Sequence, residues 1–424
     1  MTALTVHRHL IAVLIAFTLL AAAYAWATPP LEASDELWHY GLVNFIADTS
    51  QLPVQQAGTD TAWEQEGSQP PLYYLVAAAL VKPIDRNDFD AVRQANPHAI
   101  AGIPGAVGNK NLVLHADPHP QPQGTALAVY LLRLFGIVCG GVTVIAVYTS
   151  ARLLAPERTS VALLAAALTA FNPMFLFITA SVNNDNLVIA LSSLVIWQTL
   201  ALLNDGFDSR RSLLLAVLIA LAALTKISGL VLVPFVALAA LWTAYRRRDW
   251  RGLVVLGRLM LACWALIAGW WYLRNLSLYG ELFGTHTMAA VAGERLEPFT
   301  LQTLLDEFQG FRFTYWGVFG AVNITTFRWF YDLADVVTVP CRRVAGLSAA
   351  SRDLASRMRV LLLALLLIVG AVSVVSWTSQ TYASQGRLLF PISPRSARCW
   401  RSDWSRRSRA SPGIPSESLR ARRC

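Results

Sequence analysis

Long apolar blocks dominate this chain and leave few folds open to it. They run at about residues 10–27, 126–149, 160–179, 187–203, 212–225, 228–245, 253–273 and 358–378, with a weaker one at 327–341. A bilayer core is crossed by roughly 17–25 helical residues, and within it each backbone polar group must bond inside its own segment. The stretch 212–245 is too long for one crossing. Lys226 and Gly229 near its middle divide it into a helical hairpin. The expected fold is therefore all-α, a polytopic transmembrane helical bundle of about 8–9 spans with long external loops carrying interfacial helices. Only 14% of residues are charged, against about 25% in a soluble domain.

The net charge of +9 invites a nucleic-acid reading, but its distribution rejects one. From Pro394 to Cys424 there are nine Arg against Asp403 and Glu417, so +7 of the charge sits in the tail. The body is near neutral and carries no basic stripe with interleaved aromatics. The five cysteines, Cys139, Cys263, Cys341, Cys399 and Cys424, form no CxxC pair, so neither a disulfide framework nor a zinc site is implied. The first apolar run, with Ala25-Trp26-Ala27 at its end, reads as a first span. The rival reading is a cleaved signal peptide.

Basic residues fix the expected orientation. Arg152 and Arg158, Arg210-Arg211, and Arg246-Arg247-Arg248 with Arg251 all fall on one side when the N-terminus is cytoplasmic. Arg342-Arg343, Arg352, Arg357 and Arg359 join them if the weak block crosses. The opposite side then carries the first external loop, 28–125, and a second large one, 274–326. This predicts a multi-pass protein of the cytoplasmic (inner) membrane. Within the first loop, Pro70 to Val81 is apolar but too short to span and reads as an interfacial helix, with Pro71 near its first turn. His115 and His119 sit in a Pro-rich stretch and are expected to be solvated.

The pattern breaks near the C-terminus. After Gln385-Gly386-Arg387 and Phe390-Pro391, residues 392–424 turn to Arg and Ser. A disordered basic tail and a frameshift in a GC-rich gene both account for this; with only three Lys among 35 basic residues, the frameshift is preferred.

The residues best suited to chemistry follow the first span: Asp35, Glu36 and His39. On a helix from Asp35 to Phe45, Asp35 and His39 share a face at i,i+4, and Glu36 and His39 at i,i+3. An acid at the membrane–water boundary, with its pKa raised by partial burial, serves as a general base for a hydroxyl. The same residues also read as a plain helix start, with acids favouring its dipole. They carry metal-ligating donors as well, but nothing in the sequence requires a divalent metal.

Further along, Gln69-Pro70-Pro71-Leu72-Tyr73-Tyr74 is followed by Asn183-Asn184-Asp185 and Leu224-Thr225-Lys226. Then come Trp270-Trp271-Tyr272-Leu273-Arg274-Asn275, Tyr315-Trp316-Gly317 and Gln385-Gly386-Arg387. With the Asp-Glu pair after span one, this ordered set resembles the GT-C superfamily of membrane glycosyltransferases, which includes protein O-mannosyltransferases and aminoarabinose transferases of lipid A. The resemblance covers residues 1–391.

It implies transfer of a sugar from a polyprenyl-phosphate donor to an envelope glycan, lipid or protein, with inversion at the anomeric carbon. By the same resemblance Asp35 is the base and Glu36 its helper. His39, Asp185, Lys226, Arg274, Asn275, Arg387, Tyr73 and Tyr74 line the substrate path, and the three cations are candidates for the lipid phosphate. Plainer readings stand beside these. Arg274 snorkels at a span end, Lys226 anchors at the interface, Asn183 to Asp185 form a turn, and the aromatics belong to the interfacial belt. The 83–125 insertion and the missing final spans depart from the family pattern, and a truncated cavity would be inactive. The alternatives are a transporter or flippase, or a non-catalytic component of envelope polysaccharide assembly.

Overall fold

The computed structural model describes residues 3–337 and 354–392. The tail expected from residue 392 onward falls, apart from its first residue, outside the described residues. Among the described residues the architecture is all-α apart from one small hairpin. Helix α1 (Ala3–Ala27) leads into the first loop, which holds α2 (Glu36–Thr49), α3 (Leu72–Val81) and the single turn α4 (Phe89–Val92). Then follow α5 (Gly124–Leu154), α6 (Thr159–Ala170), α7 (Pro173–Thr179), α8 (Asp185–Asp205), α9 (Ser209–Thr225), α10 (Leu232–Arg247) and α11 (Trp250–Cys263). A π-helical turn, Trp264–Gly269, joins α11 to α12 (Trp270–Tyr279).

The second large loop holds α13 (Thr285–Ala292), α14 (Leu301–Asp306) and α15 (Phe308–Trp316). It ends in an antiparallel hairpin that pairs β1 (Val318–Phe319) with β2 (Ile324–Thr325). Helix α16 (Arg328–Val337) and α17 (Leu354–Thr378) complete the helices named here, and a 3-10 turn follows at Gly386–Ile392.

Among the described residues, six helices are long and apolar enough to cross a membrane, or seven if α6 and α7 form one bent span. The bend of 61° has a local cause. Pro173 at the start of α7 cannot continue the preceding ladder, and the Asn172 side chain caps the new helix by accepting from Phe175 N at 2.9 Å. Helix α9, with 17 residues, lies at the lower limit for a crossing. The expected break at Lys226 is present: Lys226 is extended, and the 3-10 turn Ile227–Val231 leads into α10. Gly229 lets that turn press on α9, since a Cβ there would stand 2.5 Å from the Ala222 carbonyl oxygen.

The weak block at 327–341 lies within the described residues only as far as Val337. There it forms α16, an amphipathic helix over its described residues. Its Asp335 accepts from Arg312 Nε at 2.7 Å and Asp332 pairs with the same guanidinium, while Trp329, Leu333 and Val336 are exposed. Residues 338–341, and with them Arg342, Arg343 and Arg352, lie outside the described residues.

The spans pack through small residues. Gly136 and Gly140, one turn apart on α5, face the end of α7. A Cβ at Gly136 would lie 2.5 Å from the Thr179 carbonyl oxygen, and one at Gly140 would lie 2.6 Å from the Phe17 ring. Close backbone approach of this kind drives association where no hydrophobic gradient separates helices from lipid. One core joins α1, α5, α6 and α7 around Phe17 and Phe175; a second joins α8, α9, α10 and α17 around Val195, Phe235 and Leu366. A third, with Tyr40, Tyr73 and Leu132, seats α2 and α3 on α5.

The insertion at 83–125 is a strap rather than a free loop. Asp88 accepts from Thr125 N and Oγ1 at 2.9 and 2.7 Å, tying it to the start of α5. Asn323 in the β-hairpin donates to the carbonyls of Ile100 and Lys110 at 2.7 and 2.9 Å. His115, expected in solvent, is instead buried against Glu32, Nε2 to Oε1 2.7 Å, because that carboxylate also takes the backbone N–H groups of Leu112 and Val113. His119 is exposed and stacks on Trp26.

The centre of the assembly is Arg133, a fully buried charge in α5. Its Nε and one Nη reach Glu36 Oε1 and Oε2 at 2.9 and 2.5 Å. The remaining N–H groups go to the carbonyls of Ala25, Thr28 and Pro29 at 2.6, 2.6 and 2.9 Å. All five guanidinium donors are thereby used. Glu36, equally buried, also accepts from Leu31 N at 3.0 Å and Val182 N at 2.8 Å. Breaking a buried pair from one side costs about 3–5 kcal/mol, because a charge is left without compensation. Glu36→Gln and Arg133→Met are each expected to lower the thermal midpoint in detergent sharply, and the double variant to recover part of the loss. Equal midpoints for wild type and both single variants would remove the pair from its structural role.

Candidate functional site

The first loop returns from α1 in a constrained conformation. Leu31 and Asp35 both have left-handed backbones, with φ of 68° and 62°. Each costs about 1–2 kcal/mol for a residue with a Cβ, and such strain persists only where the surroundings over-determine it. Here they do. Leu31 N is held by Glu36, and Glu32, which lies between the two strained residues, is held by the strap. The result is that adjacent acids part company. Glu36 turns inward to Arg133, while Asp35 keeps 26% side-chain exposure and meets Arg387 from the far end of the chain.

Arg387 is itself placed by the second loop. Its Nε donates to Gln385 Oε1 at 2.6 Å, and Gly386 N donates to Thr314 Oγ1 at 2.7 Å. Arg295 clasps Glu307 through two bonds, of 2.8 and 3.0 Å, and reaches the Thr378 carbonyl; Glu307 in turn accepts from Ser384. The guanidinium is 4% exposed, its Nη2 pairs with Asp35, and its buried Nη1 has no hydrogen-bond partner among the described residues.

A second ion pair stands beside the first. Lys226 Nζ, from the break between α9 and α10, donates to Asp185 Oδ1 at 2.5 Å at the start of α8. The turn before it is locked by Asn183 Oδ1, which accepts from Asp185 N, and by Val182 N on Glu36. Among the described residues, both buried side-chain amide atoms of Asn184 lack hydrogen-bond partners. The two pairs act on one another: Arg387 and Lys226 each bear electrostatically on both Asp35 and Asp185, as does His39.

His39 belongs to a third group. Its Nδ1 lies 2.8 Å from Tyr74 Oη, and Tyr74 donates to Glu66 Oε2 at 2.9 Å. Glu66 is missing from the residues singled out by sequence, although it stands three places before the Gln69-Pro70-Pro71 motif. Arg133 was equally overlooked, yet a charge inside an apolar span is itself a signal.

Electrostatics correct one expectation. Burial does press the Asp35 carboxyl upward, but the charge of Arg387, then that of His39 and the hydrogen bond to Arg387, outweigh it, so its pKa lies below the ordinary value rather than above it. Arg387 loses to burial and regains more from Asp35, Asp185 and Glu66, which hold it protonated. Tyr74 is pushed far above the ordinary phenol value by burial and by Glu66, so it stays a donor.

The remaining expected residues are placed as follows. Tyr73 is buried edge-on against Tyr74 and stacks on Phe135. Arg274 donates to the Pro53 carbonyl at 2.8 Å and lies over Trp271; Asn275 reaches the Leu282 carbonyl at 3.4 Å. Among the described residues, neither bonds to Asp35, His39, Asp185 or Arg387. Glu36 faces Arg133, so Asp35, Glu36 and His39 do not converge as ligands. Among the described residues no three His, Cys, Asp or Glu side chains are arranged to hold a metal ion.

A family model described as "Predicted membrane protein (DUF2142)" matches residues 123–395. The chain belongs to this family. Among solved structures, AglB oligosaccharyltransferase from Archaeoglobus fulgidus, in complex with an inhibitory peptide and a dolichol-phosphate, superposes with a TM-score of 0.54 at 13% identity, covering 93% of this chain and 50% of that one. The apo oligosaccharyltransferase of the same organism gives 0.52 at 12% identity, covering 91% and 50%. ArnT from Cupriavidus metallidurans, bound to undecaprenyl phosphate, gives 0.50 at 14% identity, covering 91% and 58%. No curated protein matches. This member of the DUF2142 family therefore has the fold of the GT-C glycosyltransferases and spans between 50% and 58% of the length of those neighbours.

The lowered Asp35 value has a consequence for stability. A carboxyl depressed in the folded state stabilises it above the unfolded pKa, and that contribution disappears as pH falls through the folded value. Wild type is expected to melt above Asp35→Asn at neutral pH, with the gap closing in acid. A gap independent of pH would contradict the ion pair as the cause.

Proposed function

We propose that this protein transfers a sugar from a polyprenyl-phosphate-linked donor to a hydroxyl of an envelope acceptor, on the external side of the cytoplasmic membrane. The observation that carries the reading is the convergence of Asp35–Arg387 with Asp185–Lys226 beside a buried guanidinium nitrogen that has no partner among the described residues. The GT-C fold supports it, as do neighbours whose solved structures contain undecaprenyl phosphate and dolichol-phosphate. The orientation, with the N-terminus cytoplasmic, rests on the arginines of the short loops. Arg359, at the start of α17, reaches toward the Leu153 carbonyl at the opposite end of α5 from the Asp35 loop, which agrees with it.

In this reading Asp35 is ionised at neutral pH and ready to accept a proton. The acceptor oxygen bonds to the anomeric carbon from the face opposite the phosphate, and its proton passes to Asp35. The C–O bond to the phosphate breaks, and its electron pair leaves with the polyprenyl phosphate. Arg387 and Lys226 receive that charge, the guanidinium through Nη1. Donor binding draws Arg387 toward the phosphate and loosens its hold on Asp35, which makes the carboxylate more basic when the acceptor arrives. Asp185 orients Lys226, and Glu36 holds the loop that aims Asp35.

Purified protein given polyprenyl-phosphate sugars and an envelope extract tests this. Asp35→Asn is expected to lose about 10²–10⁴-fold in kcat, the range of general-base contributions. Arg387→Ala and Lys226→Ala are expected to raise KM for the lipid donor by roughly tenfold or more, as for a charge-assisted hydrogen bond. Transfer undiminished in Asp35→Asn would remove it as the base.

Sidedness has its own test. Single cysteines at Asp60 and at Asp208 in a cysteine-free background should label from outside and from inside the cell respectively; the reverse pattern would overturn the orientation.

A further inference from the structure

The proton that Asp35 takes has to leave a carboxyl whose pKa is depressed, in a loop largely closed to water. The hydrogen-bond polarity around His39 supplies a place for it. An ionised carboxylate only accepts, and Glu66 accepts from Tyr74 Oη at 2.9 Å. The Tyr74 proton is thereby committed to Glu66, so the contact between Tyr74 Oη and His39 Nδ1, 2.8 Å, is made by the Nδ1–H proton. Glu66 Oε2 also lies 3.3 Å from Nδ1, which enforces the same polarity directly. Gln65 Nε2 donates to the other oxygen at 3.1 Å and keeps the carboxylate satisfied. In a neutral imidazole with hydrogen on Nδ1, the lone pair is on Nε2. Among the described residues, Nε2 has no hydrogen-bond partner.

We infer that His39 is the second proton acceptor of the site: its Nε2 takes from Asp35 the proton that Asp35 removes from the acceptor hydroxyl. This rests on the proposed transfer reaction. The relay balances. The Asp35 O–H bond breaks as the His39 Nε2–H bond forms, the imidazolium is stabilised by Glu66 through Tyr74, and it returns the proton to water after product leaves. Helix geometry places the two groups for it. His39 N donates to the Asp35 carbonyl at 3.0 Å, which sets the two residues one turn apart at the start of α2. The histidine also bears electrostatically on Asp35 and Asp185 together. His39 (3% exposed), Glu66 (4%) and Tyr74 (0%) are all buried, so Nδ1 faces these protein partners rather than bulk water. Glu66 and Tyr74 are in this scheme positioning residues that act through His39.

The experiment is nitrogen NMR of the full chain in detergent with 15N-histidine, the His39 signals being assigned by difference from His39→Gln. Wild type should show hydrogen on Nδ1 and a bare Nε2. Tyr74→Phe should keep that pattern, because Glu66 remains within reach of Nδ1. Glu66→Gln brings in an amide donor, which lets Tyr74 donate to Nδ1 and should populate the opposite tautomer. A wild-type proton on Nε2, or a Glu66→Gln spectrum like wild type, overturns the inference without reference to turnover. In the transfer assay, His39→Asn should cut kcat about 100-fold with KM for the donor within about twofold; an unchanged kcat also overturns it. Equal transfer by wild type and Asp35→Asn would instead defeat the reading of Asp35 as base, and the tautomer pattern would still decide whether Nε2 is the open acceptor.

Discussion

The Arg133–Glu36 pair is the constraint on which the rest depends. A guanidinium in a helix surrounded by hydrocarbon is tolerable only when every donor is met, and this one meets the end of α1, the return loop and the start of α2 at once. The carboxylate extends the same network to Leu31 and to the turn before α8. Two chain segments that each hold a site acid, the loop at Asp35 and the turn at Asp185, are therefore referenced to one buried charge. Two adjacent acids thus acquire different surroundings, one a structural pin and the other a partly open group paired with Arg387.

Around that pin the molecule builds its site from three sources that are distant in sequence. The first loop gives Asp35, His39, Glu66 and Tyr74; the helical breaks give Asp185 and Lys226; the stretch after α17 gives Arg387. Each cation is paired in the resting state, which keeps desolvated charge compensated. Among the described residues, the buried Nη1 of Arg387 has no hydrogen-bond partner. The second loop contributes through Arg295, Glu307 and Thr314, which hold the backbone that carries Arg387. The 83–125 strap ties that loop, through Asn323, to the segment that immobilises Glu32. Loops that a hydropathy plot leaves blank are here the frame of the site.

How much was legible beforehand divides along physical lines. The spans, the hairpin at Lys226, the interfacial helix at Leu72–Val81 and the resemblance to GT-C enzymes all follow from local pattern, because insertion in lipid enforces length and apolarity segment by segment. In the described part of the block at 327–341, Asp332 and Asp335 answer to Arg312 on another helix, a pairing no local pattern announces. His115 misled for the same reason, since its partner Glu32 is 83 residues away.

The sequence by itself determined that this chain is a helical membrane protein with acids and cations gathered at loop and helix ends. Composition and periodicity carry that information residue by residue. Only the tertiary structure decided which acid faces which cation: Glu36 to Arg133, Asp35 to Arg387, Asp185 to Lys226. Ion pairing in a low-dielectric interior is set by distance after folding, and nothing in the spacing of Asp35 and Glu36 distinguishes two neighbours that a left-handed backbone at Asp35 sends in different directions.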